Sequence, residues 1–412
     1  MSDGLFFKTK DSVNLGIQYI IIMGILGDFL HALANRFFNA GYIEVILEFV
    51  ILLVLLINAL PRILSSFTVK HIFIAMCISL VYIISVIVTK DSELHRLVIT
   101  YFFRYCVIPF LFAIAIRDIE DMYRRLVSAS YIIVVVAFLG MVVFHTVVTS
   151  SESYNQEFGY ILLVPMSLFF CRWIREKKLR DIALVILSLL LMLSSGSRGP
   201  LFCAIVSVAL SFFLLQEVRT AKDVFAIVFL VISLLCLFIW YRPIVLAVSN
   251  LMEQFGVSTR VFNKLLEGDI SNDNSRVDLR NFAISYIKNH WFFGTGFAND
   301  RILIYKNVWF SKTQNVYGSY CHNFFLELMM QFGLIPGLVL SIVFCKKIMC
   351  GFNKKVMSIK AIQISIVFFT SFFLILLLSR SYITTKWFYL YAGFIGALPK
   401  IVNYNSCSID DN

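Results

Sequence analysis

Three groups of residues in this 412-residue chain combine side chains and spacing that could do chemistry. The first is Ser194-Ser195-Gly196-Ser197-Arg198-Gly199-Pro200, where two apolar runs meet with an arginine between them. Small residues let backbone approach a ligand closely, and a guanidinium grips phosphate with a two-pronged fork. The alternative is a tight turn with a snorkelling arginine. The second group is Arg276 with Arg280. Two guanidinium groups one helical turn apart suit a pyrophosphate or an anionic lipid head group; a solvated amphipathic helix with two basic flanks is the other reading. The third runs from His322 and Asn323 through Glu327 to Gly333, where a long polar segment gives way to an apolar one. Neutral imidazole is the natural general base near neutral pH, although a histidine at such a boundary can also be structural.

The elements that must position these groups follow from composition. The chain is 59% hydrophobic and 15% charged, with a mean hydropathy of +0.84. Soluble domains are nearer one quarter charged, so a water-soluble enzyme, a disordered chain and a fibrous repeat are excluded. Forty-one Phe and long apolar runs point to an all-α polytopic membrane protein. A window near 20 residues gives about twelve candidate transmembrane helices, starting near residues 14, 41, 71, 97, 130, 157, 181, 200, 223, 323, 359 and 383. The expected organisation is a membrane domain over 1–240, a long loop over 241–322 and a second membrane portion over 323–412 that ends in a tail. The N-terminus is polar and lacks a small-residue cleavage site, so the first apolar run is expected to be retained. The nine cysteines form no CxxC pattern, and neither a metal nor a redox site is expected.

Orientation follows from basic residues in the short connections. Twenty Lys and Arg fall on the side that holds both termini, against six on the opposite side. The positive-inside rule then makes both termini cytoplasmic. Arg198, Arg380 and the whole 241–321 segment face the periplasm or cell exterior. The net charge of +11 is thereby read as topology rather than nucleic-acid binding. In the outer segment, Leu279, Phe282, Ala283, Tyr286 and Ile287 have the spacing of an amphipathic helix, with Asp278, Asn281, Ser285 and Lys288 opposite. Asn272-Asp273-Asn274-Ser275 supplies its start, and Gly294-Thr295-Gly296 makes a turn after it. Val261, Phe262, Leu265 and Leu266 form another amphipathic turn, suited to a membrane surface. Ionisable residues inside spans are costly and usually paired. Asp28 with His31, Glu44 with Glu48, and Arg104 belong here, and an Arg104 pair with Glu44 or Glu48 is the expected structural solution.

Taken together, the SGSRGP junction, the Asn-Ser-Arg276 helix entry with its Gly-Thr-Gly-Phe turn, and the His322-Asn323 pair before Gly333 resemble the O-antigen polymerase and O-antigen ligase superfamily (Wzy-type and WaaL-type proteins). The motifs cover about residues 190–345; the architecture covers the whole chain. The ligase pattern of Arg followed four residues later by Leu reads Arg198 then Phe202 here. The resemblance implies a metal-independent glycosyltransferase that uses a lipid donor and no cofactor, its active site facing the periplasm of a bacterial inner membrane. Its substrates would be an undecaprenyl-pyrophosphate-linked glycan donor and a glycan acceptor. Arg198 and Arg276 match the family's two arginines and would clamp the pyrophosphate. His322 matches its loop-end histidine and would take the acceptor proton. Arg280, Arg380, Asn323 and Glu327 are expected to bind substrate or orient these groups, Arg380 being equally readable as an interfacial anchor. A chain-length regulator and a flippase are partners implied by the family alone. The polymerase is the first reading and the ligase the second. A flippase or transporter of twelve spans is a third, but the expected inverted symmetry is not visible.

Overall fold

The computed structural model describes residues 9–38, 42–89, 92–142, 156–194, 198–216, 246–247, 249–250, 274–308 and 316–407. Among these residues the ordered elements are all helical. The first part of the chain forms α1 (Thr9–Phe38), α2 (Tyr42–Ser66), α3 (Val69–Thr89), α4 (Ser92–Tyr101), α5 (Ile108–Ile114), α6 (Ile119–Val142), α7 (Gln156–Ile161), α8 (Leu163–Glu176), α9 (Leu179–Ser194) and α10 (Arg198–Leu215). After the long segment's first part come α11 (Asn274–Lys288), α12 (Asp300–Asn307), α13 (Phe324–Phe332), α14 (Leu334–Cys350), α15 (Ile359–Phe368) and α16 (Lys386–Cys407). The amphipathic turn expected at 261–266 and the span expected near 223 lie outside the described residues.

Four stretches are long and apolar enough to cross a membrane: Ile46–Ser66, Ile119–Gly140, Gln156–Glu176 and Ile359–Leu377. Ser12–Gly27 and Gly199–Leu215 are shorter apolar helices. The helices fall where the hydropathy places them, but only these four among the described residues meet the length and hydropathy of a span, against the twelve expected. At residues 92–114 an apolar stretch is divided into α4, a π-helical turn at Phe102–Val107 and α5. Arg104 belongs to that turn.

Two kinds of surface follow from the packing. Phe112, Phe169, Phe368, Phe372, Tyr391 and Phe394 are buried where α5, α8, α15 and α16 meet. Leu47, Val50, Val54 and Ile57 on α2, and Leu338, Val339, Ile342 and Val343 on α14, are exposed. Contiguous apolar exposure on this scale fits contact with lipid rather than water.

Charged residues gather at one end of the bundle. The Lys360 ammonium pairs with Glu120, and Lys400 donates to the Ser66 carbonyl. Arg117 donates to the Ser65 hydroxyl at 2.8 Å, and Arg125 pairs with Asp121 at 2.9 Å. Arg172 sits 3.5 Å from the fully buried Asp181 and 3.6 Å from Glu176, which also binds Lys178 at 2.7 Å. These contacts join connections that the charge count assigns to one side.

The opposite end is organised by a break in a helix. α15 passes into a π-helical turn at Phe369–Phe373, then a 3-10 turn at Leu374–Leu377, and is irregular until α16 begins at Lys386. The Ser379 and Arg380 N–H groups both point back to the Ile375 carbonyl, at 3.0 and 3.2 Å. The carbonyls of Leu378 and Ser379 are thereby presented to side chains from elsewhere. Such backbone is tolerated inside a membrane protein only where polar partners satisfy it.

Candidate active site around Ser379

Four segments bring their side chains to residues 378–381. The first is α11. Leu279, Ala283 and Ile287 are buried and Phe282 and Tyr286 partly so, as the helical spacing predicts. This face packs on Met330 and Cys321, which fixes the roll of the helix. Arg276 in the first turn then reaches the break, and its Nη1 donates to the Leu378 carbonyl at 3.2 Å. Arg280, one turn on, is exposed and makes no described contact with the break.

The second segment ends at His322. The chain leaves α11 through residues 290–296, which run beside the end of α13. Thr295 N–H donates to Met330 O at 2.8 Å, Gly296 N–H to Gln331 O at 2.9 Å, and Leu334 N–H to His290 O at 2.9 Å. Gly333 has φ +93°, and a Cβ there would lie 2.7 Å from the Phe292 carbonyl carbon. This close approach is why the residue between α13 and α14 carries no side chain. His322 itself has φ +52°, a left-handed conformation costing about 1–2 kcal/mol for a non-glycine residue. Its Nδ1 lies 3.2 Å from the Ser379 carbonyl oxygen. A carbonyl can only accept, so Nδ1 carries the hydrogen and the lone pair sits on Nε2. The Tyr320 ring packs 4.3 Å from the imidazole, and its hydroxyl donates to the same Ser379 carbonyl at 3.0 Å.

Asn323 works as a helix cap. Its side-chain oxygen accepts from Phe325 N–H at 3.1 Å and Leu326 N–H at 3.2 Å, two of the donors a helix start leaves unpaired. The partner that orients the imidazole here is Ser379, where the sequence pointed to Asn323 and Glu327. Glu327, fully buried, faces Arg301 and Ser381 instead.

The third segment is α7 with the head of α10. The Tyr160 hydroxyl is 2.6 Å from Ser379 Oγ and accepts from Gln156 Nε2 at 3.1 Å. α10 begins at Arg198, and a Cβ on Gly199 would lie 2.3 Å from the Tyr160 hydroxyl. The helix head can therefore sit on Tyr160 only with glycine at this position. The Arg198 side chain lies outside the described residues, but its neighbour Gly199 abuts the Tyr160 hydroxyl, which bonds Ser379. Arg380 pairs with Glu157 of α7. Arg276 and His322 thus converge on the short segment that carries Arg380.

The fourth contribution was not singled out in the sequence. Asp300 and Arg301 open α12 and are fully buried. Arg301 Nη1 donates to the Tyr317 carbonyl, and Nη2 donates to Ser381 Oγ at 2.7 Å. The Ser381 hydroxyl in turn donates to Glu327 Oε1 at 2.5 Å. Gln331 donates to Asp300 Oδ1 at 2.8 Å and accepts from the Tyr382 hydroxyl. Burial pushes the Asp300 carboxyl up from its ordinary range, against the pull of Arg301. The same cause raises the Tyr320 hydroxyl and the Cys321 thiol. Cys321 is therefore an uncharged thiol, unsuited to act as a nucleophile.

Several residues weighed from sequence lie elsewhere. The side chains of Asp28, His31, Glu44 and Arg104 are outside the described residues, and so is any pair formed by Arg104. Among the described residues, no group of three or more His, Cys, Asp or Glu side chains is arranged to hold a metal ion.

No curated protein matches the chain. A family model described as O-antigen ligase matches residues 183–342, a stretch that begins before Arg198 and ends after Gly333. With the apolar helices, this points to a bacterial membrane protein, and the family's enzymes act on lipid-linked glycans. This matched stretch, which holds Arg198, Arg276 and His322, is similar to the O-antigen ligase and polymerase superfamily.

Proposed function

We propose that the protein is a membrane-embedded glycosyltransferase that polymerises undecaprenyl-pyrophosphate-linked oligosaccharide repeats into a surface polysaccharide. The observation that carries this reading is the meeting of Arg276 and His322 on consecutive carbonyls, Leu378 and Ser379. One group is cationic, the other a candidate proton acceptor, and the broken helix holds both. The carbonyl fixes the direction in which the guanidinium points.

In the proposed reaction a hydroxyl of the acceptor sugar attacks the anomeric carbon of the donor glycan. The new C–O bond forms as the bond from that carbon to the pyrophosphate oxygen breaks. Its electron pair leaves on undecaprenyl pyrophosphate, and the hydroxyl proton passes to His322 Nε2. Pyrophosphate is already a good leaving group, so the protein's task is to stabilise its growing charge. Arg276 and Arg198 are assigned that role, with Arg280 and Arg380 adding to the positive field. The alternation of basic charge supports a periplasmic position for this end and cytoplasmic termini in an inner membrane. A chain-length regulator and a flippase are the proposed partners, and the chemistry is proposed to need neither metal nor cofactor.

A second reading, transfer of the finished glycan to lipid A core, is favoured by the description of the matching family. The surface glycan of a deletion strain separates the two. Loss of a polymerase leaves core carrying one repeat unit; loss of a ligase leaves core with none.

A further inference from the structure

Arg301 is the largest fully buried side chain in the described protein, and the proposed chemistry does not use it. Its guanidinium lies between two aromatic rings, 5.1 Å from the centre of Tyr317 and 5.1 Å from that of Tyr320. It also donates to the Tyr317 carbonyl and to Ser381 Oγ, with Glu327 Oε1 3.8 Å away. The ion pair is longer than a hydrogen bond, so the Ser381 hydroxyl bridges the two charges. One side chain on α12 therefore ties together the 316–320 turn, α13 and the broken segment.

Two described supports of His322 pass through these ties. Tyr320 packs on both the imidazole and the Arg301 guanidinium. The Ser379 carbonyl that sets the imidazole tautomer lies two residues from Ser381, which Arg301 holds. Burying a guanidinium is expensive, and an apolar core of similar volume is often at least as stable. Stability is thus a poor reason for this arrangement. Fixing a strained residue relative to a carbonyl on another segment is a better one.

We infer that Arg301, bridged to Glu327 through Ser381, is a positioning residue that holds His322 against the Ser379 carbonyl. This rests on the reading of His322 as the general base. Misplacing a reacting group by about 1 Å can cost on the order of 100-fold in rate. Lysine keeps a positive charge but lacks the planar fork and its fixed donors.

The test uses the full-length purified protein in lipid nanodiscs with a synthetic lipid-linked repeat. It compares Arg301→Lys, Ser381→Ala, His322→Ala and the two double variants with His322→Ala. We expect Arg301→Lys to lower kcat by about 10- to 100-fold while KM for the donor changes less than about twofold, and Ser381→Ala to act in the same direction by less. Each double variant should be no slower than His322→Ala alone, because a misplaced base costs nothing once the base is gone. Wild-type kcat in Arg301→Lys, or in Ser381→Ala should the lysine variant not fold, overturns the inference. So do losses that multiply with that of His322→Ala, since they place the effect elsewhere. Wild-type turnover by His322→Ala alone would instead remove the base itself, a separate result read from a separate variant.

Discussion

The two ends of the helical bundle hold positive charge with different sets of partners. At the end formed by residues 62–66, 117–125, 172–181, 354–360 and 400, cations meet carboxylates: Arg125 with Asp121, Lys178 with Glu176, Lys360 with Glu120. Acid and base cancel there, and the contacts hold helix ends together. At the other end Arg276 meets the Leu378 carbonyl, His322 the Ser379 carbonyl, and Arg301 the Tyr317 carbonyl, while Arg380 pairs with Glu157 and Arg301 is bridged to Glu327 through Ser381. A carbonyl dipole fixes the direction of a donor without carrying a full charge. The difference lies in what the contacts hold: helix ends at one end, and at the other a broken segment on which an arginine and an imidazole meet consecutive carbonyls.

If that contrast holds, substitutions at the two ends should be sorted by what they damage. The largest effect is expected from the arginines of the site. Arg276→Ala or Arg198→Ala should lower glycan chain formation by about 100-fold or more, with membrane protein levels unchanged on immunoblot. Lysine should restore little, because the ammonium lacks the bidentate fork. Full chain length with lysine at both positions would reduce the site to a general electropositive surface.

At the first end, Asp181→Ala leaves the nearly buried Arg172 without its closest carboxylate. A loss of about 3 kcal/mol in stability is expected, read as a fall in thermal midpoint, with turnover per folded molecule retained. A matching fall in turnover at permissive temperature would blur the two ends. Asn323→Ala removes the cap of α13 and should cost about 1 kcal/mol. Asn323→Asp should recover it in a melting experiment, since aspartate caps equally well. The smallest effect is expected for Glu157→Gln. Glu157 is half exposed in its pair with Arg380, and pairs of that kind contribute about 0–1 kcal/mol. Stability should hardly move in an unfolding titration. If Arg380 adds to the field that draws the donor, KM for the donor should fall modestly.

How much of this was legible in the sequence depends on the range of the interactions. α11 could be read because its buried face, Leu279, Ala283 and Ile287, repeats with the helix period. The start of α10 at Arg198 could be read because Gly and Pro punctuate an apolar stretch. Helical class followed from hydropathy. The break after α15 could not, because Phe369–Leu377 is as apolar as any span and its unwinding depends on partners from distant parts of the chain. Arg301 was hidden for a similar reason. An arginine in a polar segment is ordinary until Tyr317, Tyr320 and Ser381 are folded around it. Asn323 and Glu327 were placed near His322 by sequence distance, but the turn at His322 sends one into a cap and the other toward Arg301. The division of residues 92–114 into short helices and a π-helical turn was not legible either, because a hydropathy window does not register where a helix changes its winding.

The central claim is that His322, held through Nδ1 by the Ser379 carbonyl, takes the acceptor proton at Nε2. The most direct measurement is the pH–rate profile of the purified protein with a synthetic lipid-linked repeat, compared with that of His322→Ala in the presence of chelator. Wild-type activity is expected to survive the chelator and to decline at acid pH as the imidazole gains a proton and can no longer accept one. The alanine variant should be slower by about 100- to 10,000-fold and should lack that acid limb. An alanine variant that turns over at the wild-type rate with the same profile would contradict it.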